Sequence, residues 1–374
     1  MKALRRGFAY TASKTQKGAC SNMEQFIGCD AHKQFSVFVA VNEKGHAGEA
    51  ARVPHERRLY REFLTRLPPH STIAVEASGQ YSWLVDEMEQ SGHCPKLANP
   101  LEAKRRMGLT MKTDKLDAKG LAILLRNGTL PEVWIPPSEL RDQRELLRLR
   151  IFLVHLKTRV KNRIHGTLAR HNVIIPGADL FGAEARLQLG ERLPELPVHS
   201  REAIEQELAT LDFLEGEIKS AEQRLEAIMK VSAEADLLKT LPCVGTILSM
   251  VLMLEIGRVN RFPTAAHLAS YAGLVPRVRA SGGRTRMGQV CQNVNRNLKW
   301  AFVETGNLVV INQRRLAGTH VVRLYQRIKR AKNHQKAVVA VGRHLAEAAW
   351  WILTKQEVYR EPRKARQALS STHG

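Results

Sequence analysis

The first third of the chain alternates short apolar runs with segments whose apolar residues recur every three or four positions. The apolar runs have the length of single strands and consist of FIGCD, FSVFVAVN, TIAVEA and CPKLAN. The alternation of the second run and the turn sequence NEKG at its end predict a hairpin. The segments with helical spacing are HERRLYREFLTRL and QYSWLVDEMEQSG. Strands that alternate with helices predict a layered α/β domain over residues 26–134.

Two apolar series in residues 135–235 have the 3-4-3 spacing of coiled-coil seams. The first comprises Leu146, Leu149, Leu153, Leu156 and Val160, and the second comprises Leu211, Leu214, Ile218, Ala221, Leu225 and Ile228. They predict two long helices that form a helical coiled-coil arm, paired either within one chain or between chains. The segment between them, residues 175–200, is rich in glycine and proline and predicts a loop.

The pattern changes again in residues 236–360, which we expect to form a mostly α-helical domain. Near its start the turn sequence LPCVG precedes an apolar helix. This arrangement resembles a helix-hairpin-helix, whose turn offers backbone N–H groups to a phosphate. A buried helical hairpin without phosphate contact is the alternative.

The charge of the chain is strongly positive and unevenly distributed. A formal net charge of +22 favours a polyanionic partner, and nucleic acid is the usual one, whereas solubility alone needs only a modest charge. No acidic residue lies between Glu255 and Glu304 or from Thr305 to Ala346. Because solvated faces mix both signs, these stretches predict phosphate contact. The expected nucleic-acid-binding residues are Arg277, Arg279, Arg284, Arg286, Arg296 and Lys299.

The cysteines and the ends of the chain bear on its location. The five cysteines are scattered and form no CxxC pair, which argues against a zinc site or disulfide framework and for reduced thiols in a cytoplasm. No apolar run approaches the length of a membrane span. Residues 1–25 are basic but lack the apolar core of a signal peptide, so we expect a poorly ordered leader. Residues 361–374 form a basic tail.

Two carboxylates, Asp114 and Asp117, lie three residues apart where a basic segment becomes an apolar helix. One interpretation is that Asp114 caps the helix and Asp117 is an ordinary surface residue. The other is that the two carboxylates, which share one helix face, hold a divalent cation. The pair alone does not decide between them.

Two further acids occupy the ends of predicted strands. Asp30 ends the first strand and Glu76 ends the strand TIAVE. Ligands of layered α/β sheets gather at strand ends, so both could face one crevice. Four carboxylates there could hold two Mg²⁺ ions, the usual arrangement for phosphodiester cleavage, although each acid alone could be a turn or surface residue. We call Asp30, Glu76, Asp114 and Asp117 the acidic tetrad.

The order of motifs FIGCDAHK, AVEASG, KTDKLDAKGLAILLRNG and LASYAGLVPRVRASGG resembles the DEDD transposases of bacterial insertion sequences. The resemblance extends from Phe26 to the last helices, although the coiled-coil arm resembles the family only in its general character. It implies a RuvC-like (RNase H-like) N-terminal domain whose catalytic, metal-binding residues are the acidic tetrad, with Mg²⁺ or Mn²⁺ as cofactor. It also implies a C-terminal serine nucleophile within RASGG, which can only be Ser281.

The sequence around Ser281 suits phosphate chemistry. Gly282 and Gly283 permit close approach of the backbone to a phosphate, and neighbouring arginines can neutralise developing charge. Without the family resemblance, a simple Ser-Gly-Gly turn would explain the same residues. Two positions depart from the family pattern. Ala280 stands where many relatives have a second hydroxyl residue, and Val294 precedes Asn295 where a glycine is common.

The resemblance implies a DNA recombinase that moves an insertion sequence through a covalent serine–DNA intermediate. It further implies a nucleoid-associated protein that binds element-end and target DNA, a structured guide RNA encoded by the element, and further copies of itself as a dimer or tetramer. Two other functions fit the residues. One is a metal-dependent RuvC-like endonuclease without serine chemistry, and the other is a non-catalytic nucleic-acid-binding protein.

Overall fold

The computed structural model describes residues 25–108, 113–176, 179–230, 232–281, 284–290 and 294–362, with only the backbone at 277–287 and 289–290. The chain divides after Glu139 into two compact units. The expected leader lies outside the described residues apart from Gln25, and so does the basic tail beyond residue 362. Among the described residues, no helix is both long enough and apolar enough to span a membrane.

A mixed six-stranded sheet forms the centre of the first unit. Its strands are β1 Gln25–Ala31, β2 Phe35–Asn42, β3 Ala51–Pro54, β4 Thr72–Glu76, β5 Cys94–Ala98 and β6 Glu132–Val133. In the sheet order β3-β2-β1-β4-β5-β6, β1 is parallel to β4 and β4 to β5, and the other pairs are antiparallel. The predicted α/β organisation is confirmed, and so is a hairpin at β2, which pairs antiparallel with both β1 and β3, while the short strands β3 and β6 were not predicted.

Four helices cover the two faces of this sheet. They are α1 Arg57–Leu64, α2 Tyr81–Gln90, α3 Pro100–Met107 and α4 Asp114–Arg126. Side chains alternate along a strand, so β1 sends Ile27 and Cys29 into the core shared with α1 and α2. Gly28 and Asp30 therefore belong to the opposite face, the face on which α4 packs.

Two long helices of the second unit are arm helices that pair with each other within the chain. They are α5 Ser138–Arg170 and α7 Val198–Met229, with the short α6 Ala183–Arg192 between them. Their antiparallel direction follows from a descending series of ion pairs, Arg150–Glu222, Lys157–Glu215 and Arg163–Glu207. Leu153 packs with Leu214 and Ile218 along the apolar seam.

The loop predicted for residues 175–200 is wrong in part, because this segment contains α6. Glycine and proline suggested a loop, but Gly182 precedes the helix and Pro194 follows it. Within the helix, Ala185 and Leu189 are buried, and Leu189 packs in a core that includes Ile204 of α7. The helical spacing of these buried apolar residues therefore explains why the segment forms a helix despite its glycine and proline content.

The remainder of the second unit is mostly helical, as predicted, apart from one β-hairpin. Its elements are α8 Ala233–Lys239, α9 Thr246–Ile256, α10 Ala265–Tyr271, β7 Pro276–Ser281, β8 Arg284–Val290, α11 Arg296–Ile311, α12 His320–Ala331 and α13 His334–Lys355. α8 and α9 form a helical hairpin in which α9 is buried over most of its length. The antiparallel pair β7–β8, residues 276–290, is called the serine hairpin, since its first strand ends at Ser281.

Candidate active site

A glycine on β1 brings the start of α4 to the end of the sheet. A Cβ atom at Gly28 would lie 2.0 Å from the carbonyl oxygen of Ala118, so only glycine permits this packing of helix on strand. Asp30, two residues further along β1, belongs to the same face as Gly28. The first turn of α4, which contains Asp114 and Asp117, therefore lies beside the carboxyl end of β1.

The N-cap of α4 is Thr113, so the interpretation of Asp114 as a helix cap is wrong. The Thr113 hydroxyl accepts a hydrogen bond of 3.3 Å from the backbone N–H of Leu116. Asp114 is the first residue of the helix proper, and its carboxylate is directed at His32 instead. Because capping is supplied by Thr113, it does not account for either aspartate.

Asp30, His32 and Asp114 form a compact cluster at this place. His32 Nε2 lies 3.1 Å from Asp30 Oδ2 and 3.3 Å from Asp114 Oδ1, and one ligand atom of each residue lies within 4.8 Å of the others. Burial raises the pKa of Asp30, His32 opposes that rise, and the carboxylates of Asp117 and Asp114 add to it. The second aspartate of the α4 pair is thus close enough to act electrostatically on Asp30.

Two buried polar atoms of the cluster contact each other. Asp30 Oδ2 and His32 Nε2 lie at ion-pair distance, 3.1 Å, and neither has a well-aligned hydrogen-bond partner among the described residues. A divalent cation would bind the carboxylate oxygens and the lone pair of a neutral imidazole, so the residues present fit such an ion.

Glu76, the remaining member of the acidic tetrad, ends the parallel neighbour of β1. Cys29 pairs with Val75 in the parallel ladder, and continuation of this register places Glu76 next to Asp30. Both acids thus occupy the carboxyl ends of adjacent parallel strands. Within the described residues, the cluster of side chains close enough to share a metal ion comprises Asp30, His32 and Asp114 and does not include Glu76.

His32 is a member of the site that the sequence pattern did not identify. Its ring stacks on Phe35 with centroids 4.6 Å apart, and the guanidinium of Arg52 lies 3.8 Å from the centroid of the Phe35 ring. These contacts hold the imidazole between the two aspartates. The available signal was the spacing Asp-x-His at the end of a strand, because residues i and i+2 face the same side of an extended chain.

Ser281 and four of the expected nucleic-acid-binding arginines lie on the serine hairpin, while its tip, Gly282 and Gly283, lies outside the described residues. Ser281 is the last residue of β7 rather than part of a loop, and it pairs with Arg284. In the same backbone register, Arg279 pairs with Arg286. Arg277 is also on β7.

The other two expected nucleic-acid-binding residues belong to α11. Arg296 is its first residue and is exposed, and Lys299 is half-buried one turn later. Asn295 caps this helix by accepting a 3.0 Å hydrogen bond from the backbone N–H of Leu298. The stretch that joins β8 to α11, residues 291–293, lies outside the described residues.

Two family models match this chain. Residues 27–173 match the DEDD model of IS110 elements, described as "Transposase", and residues 235–321 match the model described as "Transposase IS116/IS110/IS902 family". Together the matched segments cover more than half of the chain. The first contains the whole acidic tetrad, and the second contains the serine hairpin.

Relatives align with the chain over nearly its whole length. The "Probable family 20 transposase" of Pseudomonas aeruginosa is 26% identical over 345 residues, covering 89% of this chain and 98% of that protein. The "Transposase for insertion sequence element IS1111A" of Coxiella burnetii is 23% identical, covering 90% and 91%. The "Transposase for insertion sequence element IS1328" of Yersinia enterocolitica is 23% identical, covering 89% of this chain and 98% of that protein. The chain therefore belongs to the DEDD transposases of bacterial insertion sequences, enzymes that cut and rejoin DNA.

Proposed function

We propose that this transposase cuts DNA with Mg²⁺ or Mn²⁺ held by the acidic tetrad and with Ser281 as nucleophile. The observation that carries the metal assignment is the compact cluster of possible ligand atoms from Asp30, His32 and Asp114 at the end of β1. The acids of β1, β4 and α4 converge on one end of the sheet, and this supports a RuvC-like domain.

Each group has a distinct part in the proposed reaction. A bound divalent cation would polarise the scissile phosphate and stabilise the departing oxygen. Asp30, Glu76, Asp114 and Asp117 would hold it. The Ser281 Oγ–phosphorus bond forms as the bond to the departing strand breaks, and the hydroxyl proton passes to the departing oxygen. Attack by that strand's hydroxyl in reverse rejoins the DNA, and no ATP is needed because the phosphodiester energy is conserved in the serine ester.

The register of the serine hairpin supports contact with phosphate. Like charges at paired positions of antiparallel strands are destabilising, and Arg279 pairs with Arg286 in the backbone register. Binding of an anionic phosphate there would relieve such repulsion. Arg284, which pairs with Ser281 in the backbone register, would neutralise charge that develops on a phosphate under attack.

The proposed partners are element-end and target DNA, a structured guide RNA encoded by the element, and further copies of the chain as a dimer or tetramer. The net charge of +22 accommodates either nucleic acid. Phe152 on α5 and Phe213 on α7 are 57% and 66% exposed, and burial of such apolar area would favour assembly through the arm helices. We place the protein in the bacterial cytoplasm at the nucleoid, where its substrates are.

The proposal is tested by incubating the protein and its co-purified RNA with element-end DNA and Mg²⁺, followed by denaturing gels. A protein–DNA adduct that survives denaturation supports serine chemistry. Cut DNA without an adduct would indicate an endonuclease that uses water. Salt-dependent binding without cleavage in Mg²⁺ or Mn²⁺ would indicate a non-catalytic binding protein.

His32 is expected to tune which cation binds. Imidazole nitrogen is a better ligand for transition metals than for Mg²⁺, which prefers oxygen. His32→Gln should therefore lower Mn²⁺ affinity about tenfold while changing Mg²⁺ affinity much less. Calorimetric titration of each ion into the protein without DNA measures both. The exposed His46 provides the control variant, His46→Gln. Equal losses for the two ions, or none, would show that His32 is not a ligand.

The helix α12 is expected to contact the nucleic-acid backbone away from the reacting phosphate. Arg327, Arg330 and Lys332 are exposed at the end of this helix, in a stretch without acidic residues. Changing all three to glutamine should weaken binding to all DNA sequences. The slope of log affinity against log salt concentration should become shallower by about 0.9 for each phosphate that the variant no longer neutralises.

A variant with the same change in charge provides the comparison. The C-terminal part of the Glu-rich helix α7 and the residue that follows it carry three exposed cationic side chains. The control triple variant replaces these residues, Lys219, Arg224 and Lys230, with glutamine. Affinity titrations at four or five salt concentrations distinguish the two. An unchanged slope in the α12 variant, or equal changes in both, would mean that α12 faces solvent.

A further inference from the structure

A buried carboxylate, Glu255, lies at the end of the otherwise apolar helix α9. Its side chain is fully buried, and it is the last acid before the long acid-free stretch. The cost of burying such a charge is several kcal/mol, and apolar side chains of similar volume are often as stable or more so. Stability alone therefore gives no reason for glutamate at this position.

Two hydrogen bonds and two ion pairs from different parts of the chain meet at Glu255. The side-chain amide of Asn295 donates to Oε2 at 2.7 Å, and that of Asn297 donates to Oε1 at 2.9 Å. Two arginines of α5 lie at ion-pair distance, with Arg144 Nε 3.7 Å from Oε2 and Arg148 Nε 3.7 Å from Oε1. Both carboxylate oxygens are thus shared between the start of α11 and the long arm helix α5.

Asn295 connects this centre to both ends of the serine hairpin. It follows the hairpin in the chain, and its backbone N–H donates a 3.1 Å hydrogen bond to the carbonyl of Tyr271, which precedes the hairpin. Its side-chain amide, 2.7 Å from Glu255, also lies 3.3 Å from the Tyr271 hydroxyl. The two chain ends approach so closely that a Cβ atom at Gly273 would lie 2.6 Å from the Val294 side chain.

The carboxyl end of α9 is itself fixed by arginines. Arg144 is buried and donates to the carbonyls of Leu254 at 2.8 Å and Glu255 at 3.0 Å. Arg261 donates to the carbonyl of Ile256 at 3.0 Å, and its guanidinium carbon lies 4.4 Å from the centroid of the Tyr271 ring. Cations at the negative end of a helix are favourable, so the position of Glu255 is well defined.

We propose that Glu255 is a positioning residue that clamps the two ends of the serine hairpin together and joins them to α5. The clamp sets where Ser281 lies without contacting the DNA. The proposal rests on the proposed function of Ser281 as nucleophile.

Exchange of the two hydrogen-bonding groups tests the clamp. Glu255→Gln places an amide N–H₂ against one of the asparagine amides, and Asn295→Asp places two carboxylates in contact. In the double variant, Glu255→Gln with Asn295→Asp, the new glutamine donates to the new aspartate, which can still cap α11. The total charge of the pair is unchanged in the double variant.

Two readouts are compared in the full-length protein. Hydrogen–deuterium exchange of peptides covering residues 276–290, without DNA, should be about tenfold or more faster in each single variant, because a hydrogen bond to a charged group is removed. The rate of serine–DNA adduct formation at saturating DNA should fall by about the same factor while the DNA dissociation constant stays within about twofold. The double variant should recover most of both.

Controls separate the clamp from general stability and from the chemistry. Glu222→Gln removes another glutamate paired with an arginine of α5, Arg150, and should alter neither readout. Hydrogen–deuterium exchange requires no serine chemistry. A wild-type protein that forms no adduct would therefore overturn the proposed function, while the hydrogen–deuterium exchange rates would still test the clamp. Unchanged hairpin exchange in the single variants, or a double variant no better than either, would refute the clamp.

Discussion

Replacement of Ser281 by alanine is expected to eliminate both the covalent protein–DNA adduct and strand exchange, while DNA and metal binding persist. The loss should be complete, since no other group can hold the broken strand in the proposed reaction. A hydrolytic nuclease would need no hydroxyl on the serine hairpin, because activated water attacks the phosphate there. Denaturing gels measure the adduct, and band-shift titrations measure binding.

Two further variants at the hairpin sharpen this result. Ser281→Cys could retain a trace of adduct, because a thiolate is a competent nucleophile with a different size and metal preference. Thr285→Ala removes a hydroxyl from the strand opposite, where Thr285 pairs with Ala280, and serves as the control. Normal recombination by Ser281→Ala, or equal losses in Thr285→Ala, would contradict the assignment of the nucleophile.

Substitution of any one acid of the tetrad is expected to abolish cleavage with the fold intact. Metal-assisted stabilisation of the transition state amounts to several kcal/mol, so Asp117→Asn or Asp30→Asn should slow cleavage by at least about 100- to 1,000-fold. The exposed Glu132, which pairs with Lys96 in the same unit, provides the control Glu132→Gln. Single-turnover cleavage rates measure the effect.

The stability of the metal-free protein gives a second signature of the tetrad. Burial raises the pKa of Asp30, and repulsion from the carboxylate of Asp117 adds to that rise. Asp117→Asn removes that repulsion and should leave the metal-free Tm unchanged or raise it, with less benefit from added Mg²⁺. Full cleavage activity in Asp117→Asn would show that the α4 carboxylates are not metal ligands.

The sequence was most informative where one physical signal dominated. In the first unit, strands β1, β2, β4 and β5 are buried enough to produce clear apolar runs, and their ends correctly placed Asp30 and Glu76. β3 and β6 are too short for such a signal, with four and two residues. The 3-4-3 apolar spacing of the arm helices was an equally clear signal, although only the structure shows that these helices pair within the chain.

Errors arose where two local signals competed. Asp114 and Thr113 are both good capping residues, and the choice of Thr113 follows from backbone geometry that a sequence does not specify. Glycine and proline around α6 suggested a loop, whereas the apolar spacing of Ala185 and Leu189 decided for a helix. Flanking glycines likewise suggested a turn at the serine hairpin, and although β7 alternates polar with apolar residues, β8 shows no such alternation.

Contacts between distant segments could not be predicted at all. Glu255 has the sequence context of a helix end, and nothing nearby indicates that Asn295 and Arg144, far away in the chain, meet its carboxylate. His32 is closer to a prediction, because its spacing from Asp30 puts both on one side of the chain. Its proximity to Asp114 depends on Gly28 and on the packing of α4 against β1.

The most direct test of serine chemistry is identification of the residue that carries DNA during the reaction. The adduct is trapped by denaturation after incubation with element-end DNA, digested with nuclease and protease, and mapped by mass spectrometry. A nucleotide phosphate on Ser281, absent from the Ser281→Ala protein, is the predicted result. A phosphate on any other residue, or an adduct of equal yield in Ser281→Ala, would contradict the proposed serine chemistry.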